Sequence, residues 1–142
     1  MQPGKHDMTG VVLKGKTHIF ERKYKVNGFM KTINRKIEVE VGAGNNQINP
    51  KDSEFITYAK LSNIGDMNIK VRLGKNGKEA RVIDLGPNEK YNTISIFFTG
   101  TDAAQYQLEA VDYIRTMLSN FYEIPLLKDP DYTNSEQHVY GV

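Results

Sequence analysis

The stretch from Leu61 to Phe98, LSNIGDMNIKVRLGKNGKEARVIDLGPNEKYNTISIFF, constrains the fold more than any other, because its turn residues and its apolar pattern prescribe the same object. Asn76-Gly77 is the pair that a two-residue type I′ hairpin turn selects, since both central positions need φ > 0. With those two residues as the loop, Lys75 is predicted to pair with Lys78, Leu73 with Ala80 and Val71 with Val82. Ile69, Val71, Leu73, Ala80 and Val82 then share one face, and a register shifted by one residue would break it. Asn63 to Asp66 supplies the preceding turn. Leu85-Gly86-Pro87-Asn88-Glu89 supplies the next, with Pro87 pre-set for its first central position. The strands between them run from Met67 to Leu73 and from Tyr91 to Phe98. This is a β-meander, and it carries no residue set that looks like an active site.

Upstream, Gly10 to Leu13 and Thr17 to Val26 read as two strands joined by a tight turn at Lys14-Gly15-Lys16. Asn27-Gly28 is a further turn signal. Lys36 to Val41 alternates strictly, with Ile37, Val39 and Val41 predicted to face the core and Glu38 and Glu40 to face solvent. Gly42 to Asp52, GAGNNQINPKD, reads as a loop, and Phe55 to Leu61 as a strand. Residues 1–8 are polar and read as an arm.

The last third has two readings. Ala104, Leu108, Val111 and Leu118 fall at helical spacing in a Pro- and Gly-free segment, which predicts a helix over 102–121. Asp102 with Gln105 approximates a capping box. Tyr106, Leu108 and Ala110 also alternate, so two strands are the competing assignment. After Pro125 the chain reads as an extended tail, 126–142, ending in apolar Val139, Tyr140 and Val142 that are expected to dock on this domain or on a neighbour. The expected architecture is a mainly β protein, an antiparallel β-sandwich of Ig-like or jelly-roll type over 9–125, with one C-terminal helix and extended terminal arms.

A chain of 142 residues has the length of one domain and can bury its own core. Its 25% charged residues and mean hydropathy of −0.53 are those of a soluble globular protein, with no apolar run near the ~20 residues of a membrane helix. The N-terminal residues lack the order of a signal peptide. With no cysteine there is no disulfide, no thiolate nucleophile and no Cys-based zinc site. The net charge of +2 hides an asymmetry. Residues 1–81 hold 16 Lys and Arg against 8 Asp and Glu, a balance of +8, while residues 82–142 hold 3 against 9, a balance of −6. The excess is densest from Lys14 to Lys36. Lys14, Lys16, Arg22, Lys23 and Lys25 are therefore candidate partner-binding residues, able to meet an acidic face of another copy or an anionic partner. Tyr132, Val139 and Tyr140 in the tail are the matching candidates there, because aromatic and apolar side chains supply most of the energy at interfaces. Phe97 and Phe98 are expected on opposite faces of their strand, one of them at an interface.

Sites of chemistry were weighed against simpler readings. Gly10 to Thr17, GVVLKGKT, fits the spacing of a P-loop, but strand-like residues fill its middle and a strand rather than a helix follows. His6, His18 and His138 are scattered and form no metal-ligand pair. Glu38 and Glu40 sit two apart and read as the solvent side of a strand. Asp129, Asp131 and Asn134 have the composition of a calcium loop without its glycine or closing glutamate. No catalytic residue, metal ligand or cofactor is expected, and nucleic acid is disfavoured for lack of any recognition motif. Asn45, Asn46 and Gln47 beside an exposed tyrosine give a second class of function, a carbohydrate- or ligand-binding module.

Asn63-Ile64-Gly65, Ile69-Lys70-Val71, Leu85-Gly86-Pro87-Asn88-Glu89 and Tyr91 together resemble small β-sandwich modules of tailed-bacteriophage virions. In these, a unit of the form N-x-G, apolar alternation, L-x-P-x-E and an aromatic recurs in decoration, neck and fibre proteins. The resemblance spans residues 61–98 and implies a non-enzymatic virion protein, an auxiliary or decoration component of a capsid or of its head–tail neck. It would be assembled in the host cytoplasm, with its arms gripping other copies or other virion subunits and with no membrane partner.

Overall fold

The computed structural model describes residues 10–25, 32–46, 56–128 and 130–141. It is mainly antiparallel β, a β-sandwich-like fold with one helix towards the C-terminal end, as the sequence predicts. The strands are β1 (Val11–Lys25), β2 (Thr32–Asn46), β3 (Ile56–Asn63), β4 (Ile69–Lys75), β5 (Lys78–Leu85), β6 (Thr93–Thr99) and β7 (Glu136–Gly141), and the helix is α1 (Ala103–Tyr122). A five-stranded sheet has the order β6-β3-β2-β1-β7, and β4 and β5 form a two-stranded sheet. The chain divides into two compact units: residues 1–16, 41–58 and 97–142 in the first, 17–40 and 59–96 in the second.

In the first unit, Val11, Leu13, Ile56 and Tyr58 form a buried cluster, with Tyr140 of β7 packed against it. Tyr58 is fully buried and stacks on Phe97 with ring centroids 5.6 Å apart. Burying side chains of this size contributes about 1.5–3 kcal/mol each. The tail is thus partly an element of the sheet: β7 lies beside β1, and Tyr140 seals this chain's own core. The tight turn expected at Lys14-Gly15-Lys16 does not form. β1 runs through it without a break, and Gly42 of β2 lies so close to it that a Cβ there would collide with the Lys14 carbonyl and the Gly15 backbone. These glycines serve a close approach of two strands rather than a reversal of one.

In the second unit, the hairpin turn forms as expected, with φ of 53° at Asn76 and 76° at Gly77. Lys75 pairs with Lys78, but the register beyond is corrected by a β-bulge. Gly74 pairs with Glu79 and Leu73 with Arg81, so Ala80 is the extra residue, and Val71 then pairs with Ile83 and Ile69 with Leu85. The shared face is Ile69, Val71, Ile83 and Leu85, with Leu85 buried, while Val82 moves to the exposed side. The slip, which breaks the pattern of period two, carries the larger apolar residues of β5 inward.

Asn63 holds this arrangement. It has no exposed surface. Its Nδ2 donates to the carbonyls of Met67 and Leu85, each at 2.7 Å, its backbone N–H donates to the Asn92 carbonyl at 2.8 Å, and its Oδ1 accepts from the Gly65 N–H at 3.4 Å. The next turn closes with the Glu89 N–H on the Gly86 carbonyl at 3.1 Å, around Pro87 as predicted.

β2 departs from its predicted facing. Val41 is 51% exposed, whereas Glu40 is buried and accepts a hydrogen bond from Thr17 Oγ1 at 2.8 Å. Glu40 therefore lies on a covered face of β2, and a hydroxyl on the neighbouring strand β1 satisfies the buried carboxylate. Residues 42–46, expected in a loop, continue β2. The turn expected at Asn27-Gly28, the rest of that loop, 47–52, and the arm 1–8 lie outside the described residues.

Candidate interaction surface

The segment 102–121 is a helix, as its spacing predicts, and its side chains distribute in an unusual way. At 100° per residue, Ala103, Gln107, Val111, Ile114, Leu118, Phe121 and Tyr122 fall within about 100° of arc and make one stripe. Ala103 and Gln107 are buried. From there on the stripe is bare: Val111, Ile114 and Leu118 are each more than half exposed, and Phe121 and Tyr122 are 77% and 71% exposed. Gln107, at the boundary, has a buried side-chain oxygen that accepts no hydrogen bond among the described residues. Such a stripe normally faces a core.

The two ends of α1 differ. The expected capping box is absent: Asp102 adopts a left-handed conformation with φ of 63° and makes no side-chain cap, and Gln105 instead donates to Glu109 Oε1 at 3.1 Å. The C-terminal end is held firmly. Glu123 is left-handed, with φ of 53°, and its N–H bonds back to the Ser119 carbonyl. The Ile124 N–H reaches that same carbonyl at 3.1 Å, and Ser119 Oγ donates to the Ile124 carbonyl. Arg115 then donates from its guanidinium to the Leu127 carbonyl at 2.9 Å. Ile124, Leu126 and Leu127 are thereby fixed beside the end of the stripe, and all three are exposed.

The basic candidates lie along β1. Lys14 and Lys16 are exposed on the face opposite buried Leu13 and Gly15, and Arg22 and Lys23 are exposed near the end of the strand. Lys23 and Lys36 flank Glu21 at 3.9 and 3.7 Å, whereas Lys14, Lys16 and Arg22 have no ion-pair partner among the described residues. Arg35 is turned inward, donating to the Asp66 carbonyl at 3.3 Å. Lys25 closes β1, and its side chain lies outside the described residues. Ile19 and Phe20 stand exposed among these cations at 48% and 45%. Of the tail candidates, Tyr132 and Val139 are exposed, whereas Tyr140 is committed to the core. Phe97 and Phe98 are both partly exposed, and Phe97 stacks on Tyr58.

Among the described residues the candidates for chemistry do not converge. The segment matching a P-loop is part of β1, where extended backbone cannot turn consecutive N–H groups onto a phosphate. His18 meets Phe20 edge-on at 4.6 Å, and His138 faces Glu136 at 4.0 Å. Asp131 Oδ1 accepts from the Thr133 N–H at 3.0 Å, which is local turn chemistry. His6, Gln47 and Asp129 lie outside the described residues, as does the side chain of Asn46. Among the described residues no group of three or more His, Cys, Asp or Glu is placed to hold a metal ion, and no helix is long and apolar enough to cross a membrane. The apolar stripe of α1 is what sequence reasoning missed. Its spacing was legible, but its exposure depends on what packs against it. No protein family, curated protein or solved structure matches the chain.

Proposed function

We propose that this chain is a non-enzymatic structural subunit that works by burying surface against neighbouring subunits, as an auxiliary or decoration component of a phage capsid or its head–tail neck. The observation that supports assembly is the bare stripe of α1, where Val111, Ile114, Leu118, Phe121 and Tyr122 are each more than half exposed along one side of the helix, as apolar residues at interaction sites are. The virion setting rests on the resemblance of residues 61–98 to β-sandwich modules of tailed phages. The hairpin and its Asn63 anchor would supply a rigid body, and α1 the contact surface. Complementary basic and acidic surfaces would set register and encounter rate more than affinity. The test is to produce the tagged chain in its native host and fractionate the lysate by sedimentation. The expected result is recovery of the chain with large particles of defined protein composition. Recovery solely as free 16.1 kDa protein contradicts the proposal.

A further inference from the structure

We propose that β6 is an open sheet edge that pairs with the β6 of a second copy of this chain, antiparallel and about a two-fold axis at Ile96, so that two five-stranded sheets become one. The contact is separate from the stripe of α1 and goes beyond the assembly reading.

The charge pattern is the first ground. β6 ends the strand order of its sheet, with β3 as its neighbour on one side and no described strand on the other. Sheet edges are ordinarily blunted by charge, proline or a bulge. The opposite edge of this sheet, β7, carries Glu136, and β4 and β5, which have an open side each, carry several charged residues. β6, TISIFFT, alone among the seven strands has no Asp, Glu, Lys or Arg. It is also accessible: Thr93, Ser95, Ile96 and Phe97 are exposed.

The direction of its backbone groups is the second. Ser62 Oγ and Thr93 Oγ1 lie 2.8 Å apart, and Tyr58 stacks on Phe97. β3 and β6 therefore run antiparallel, with Ser62 opposite Thr93 and Tyr58 opposite Phe97. The Asn63 N–H donates to the Asn92 carbonyl at 2.8 Å, and bonding alternates along such a pair. Ile94, Ile96 and Phe98 thus turn their backbone N–H and C=O groups to β3, while Thr93, Ser95, Phe97 and Thr99 turn theirs to the open edge. Among the described residues no backbone bond outside the sheet engages these last four.

Self-complementarity identifies the occupant. A two-fold axis at Ile96 sets Thr93 opposite Thr99 and Ser95 opposite Phe97, so the open N–H and C=O groups of each copy meet those of the other. Ile96 then faces its own counterpart and Ile94 faces Phe98. These are β-branched and aromatic cross-strand pairs of the kind that stabilise sheets, with no like charges opposed. Both copies use the same patch, so the contact closes at two.

Single cysteines report the register, because the chain has none of its own. Opposed residues of a non-hydrogen-bonded antiparallel pair have Cα atoms ~4.5 Å apart, within reach of a disulfide. In oxidised glutathione, Ile96→Cys should give a covalent dimer of twice 16.1 kDa. Ile94→Cys, which faces Phe98 instead of itself, should not. Adding Ser95→Pro to Ile96→Cys should abolish the dimer and keep the wild-type circular dichroism, because proline there removes an N–H aimed at the partner and leaves the ladder to β3 intact. A folded Ile96→Cys variant that does not cross-link overturns the proposal. So does equal cross-linking of Ile94→Cys, or a dimer that survives Ser95→Pro. Each of these results leaves the assembly reading standing if the chain still sediments with large particles.

Discussion

The β4–β5 hairpin and the helix α1 are opposite solutions to burying apolar surface. In the hairpin the demands of the sequence are met close by. A two-residue turn reverses the chain, a bulge brings Ile83 and Leu85 inward, and a buried asparagine ties Met67 and Leu85 together. In α1 the same kind of apolar periodicity is satisfied for the first two turns and then left bare to Tyr122. The hairpin is complete as a piece of one chain. The helix leaves most of its stripe uncovered among the described residues, and on this difference rests the proposal that it binds a neighbour.

The sharpest way to break the comparison is at Asn63. Asn63→Ala strands the carbonyls of Met67 and Leu85 and opens a void, and the expected cost is about 3 kcal/mol, read as a lower urea midpoint. A loss under about 1 kcal/mol would mean that the hairpin does not depend on this anchor. Gly77→Ala should cost about 1 kcal/mol, because the new Cβ meets nothing within 4 Å and the whole penalty is the positive φ. Leu118→Asp on the bare stripe should leave the unfolding midpoint of a dilute sample within ~0.5 kcal/mol of wild type while lowering its recovery with large particles. Strong destabilisation of that dilute sample would show that the stripe is already covered within the chain.

Smallest is the Lys70–Asp84 pair, 2.6 Å apart on the hairpin surface. The hydrogen bond and charge of Asp84 raise the Lys70 ammonium above its ordinary value of 10.5. A raised folded value means that the contribution is fully present below the unfolded value and is lost as pH rises through the folded one. Lys70→Met should therefore lower the unfolding midpoint slightly at neutral pH, and as the pH is raised its difference from wild type should close only above pH 10.5. A difference that closes on the alkaline side already well below pH 10.5 would contradict this.

What the sequence disclosed follows the range of the interaction. Asn76-Gly77 and Pro87 were legible because a turn is decided by the residues in it. The helix over 103–122 was legible because its spacing is internal to it. Gly15 was misread as a turn residue because the close approach of Gly42 to it comes from another strand. Glu40 was misread because alternation assigns the apolar side chains to the core, whereas the hydroxyl that lets this carboxylate be buried belongs to Thr17, on another strand. The bulge at Ala80 was hidden because register there is decided by the burial of Leu85 near Asn63. At the candidate surface, the exposed cations of β1 were visible as a charge cluster. The commitment of Tyr140 to this chain's own core, and the bareness of α1, are properties of packing and had no local signal.

Amide hydrogen exchange on the free chain and on the chain recovered with large particles tests the central claim most directly, because it reads both regions in one sample. The account predicts that protection over 111–122 is higher in the particles, where neighbours cover α1, while protection over 69–85 is the same in both. Equal protection of α1 in the two states would contradict it.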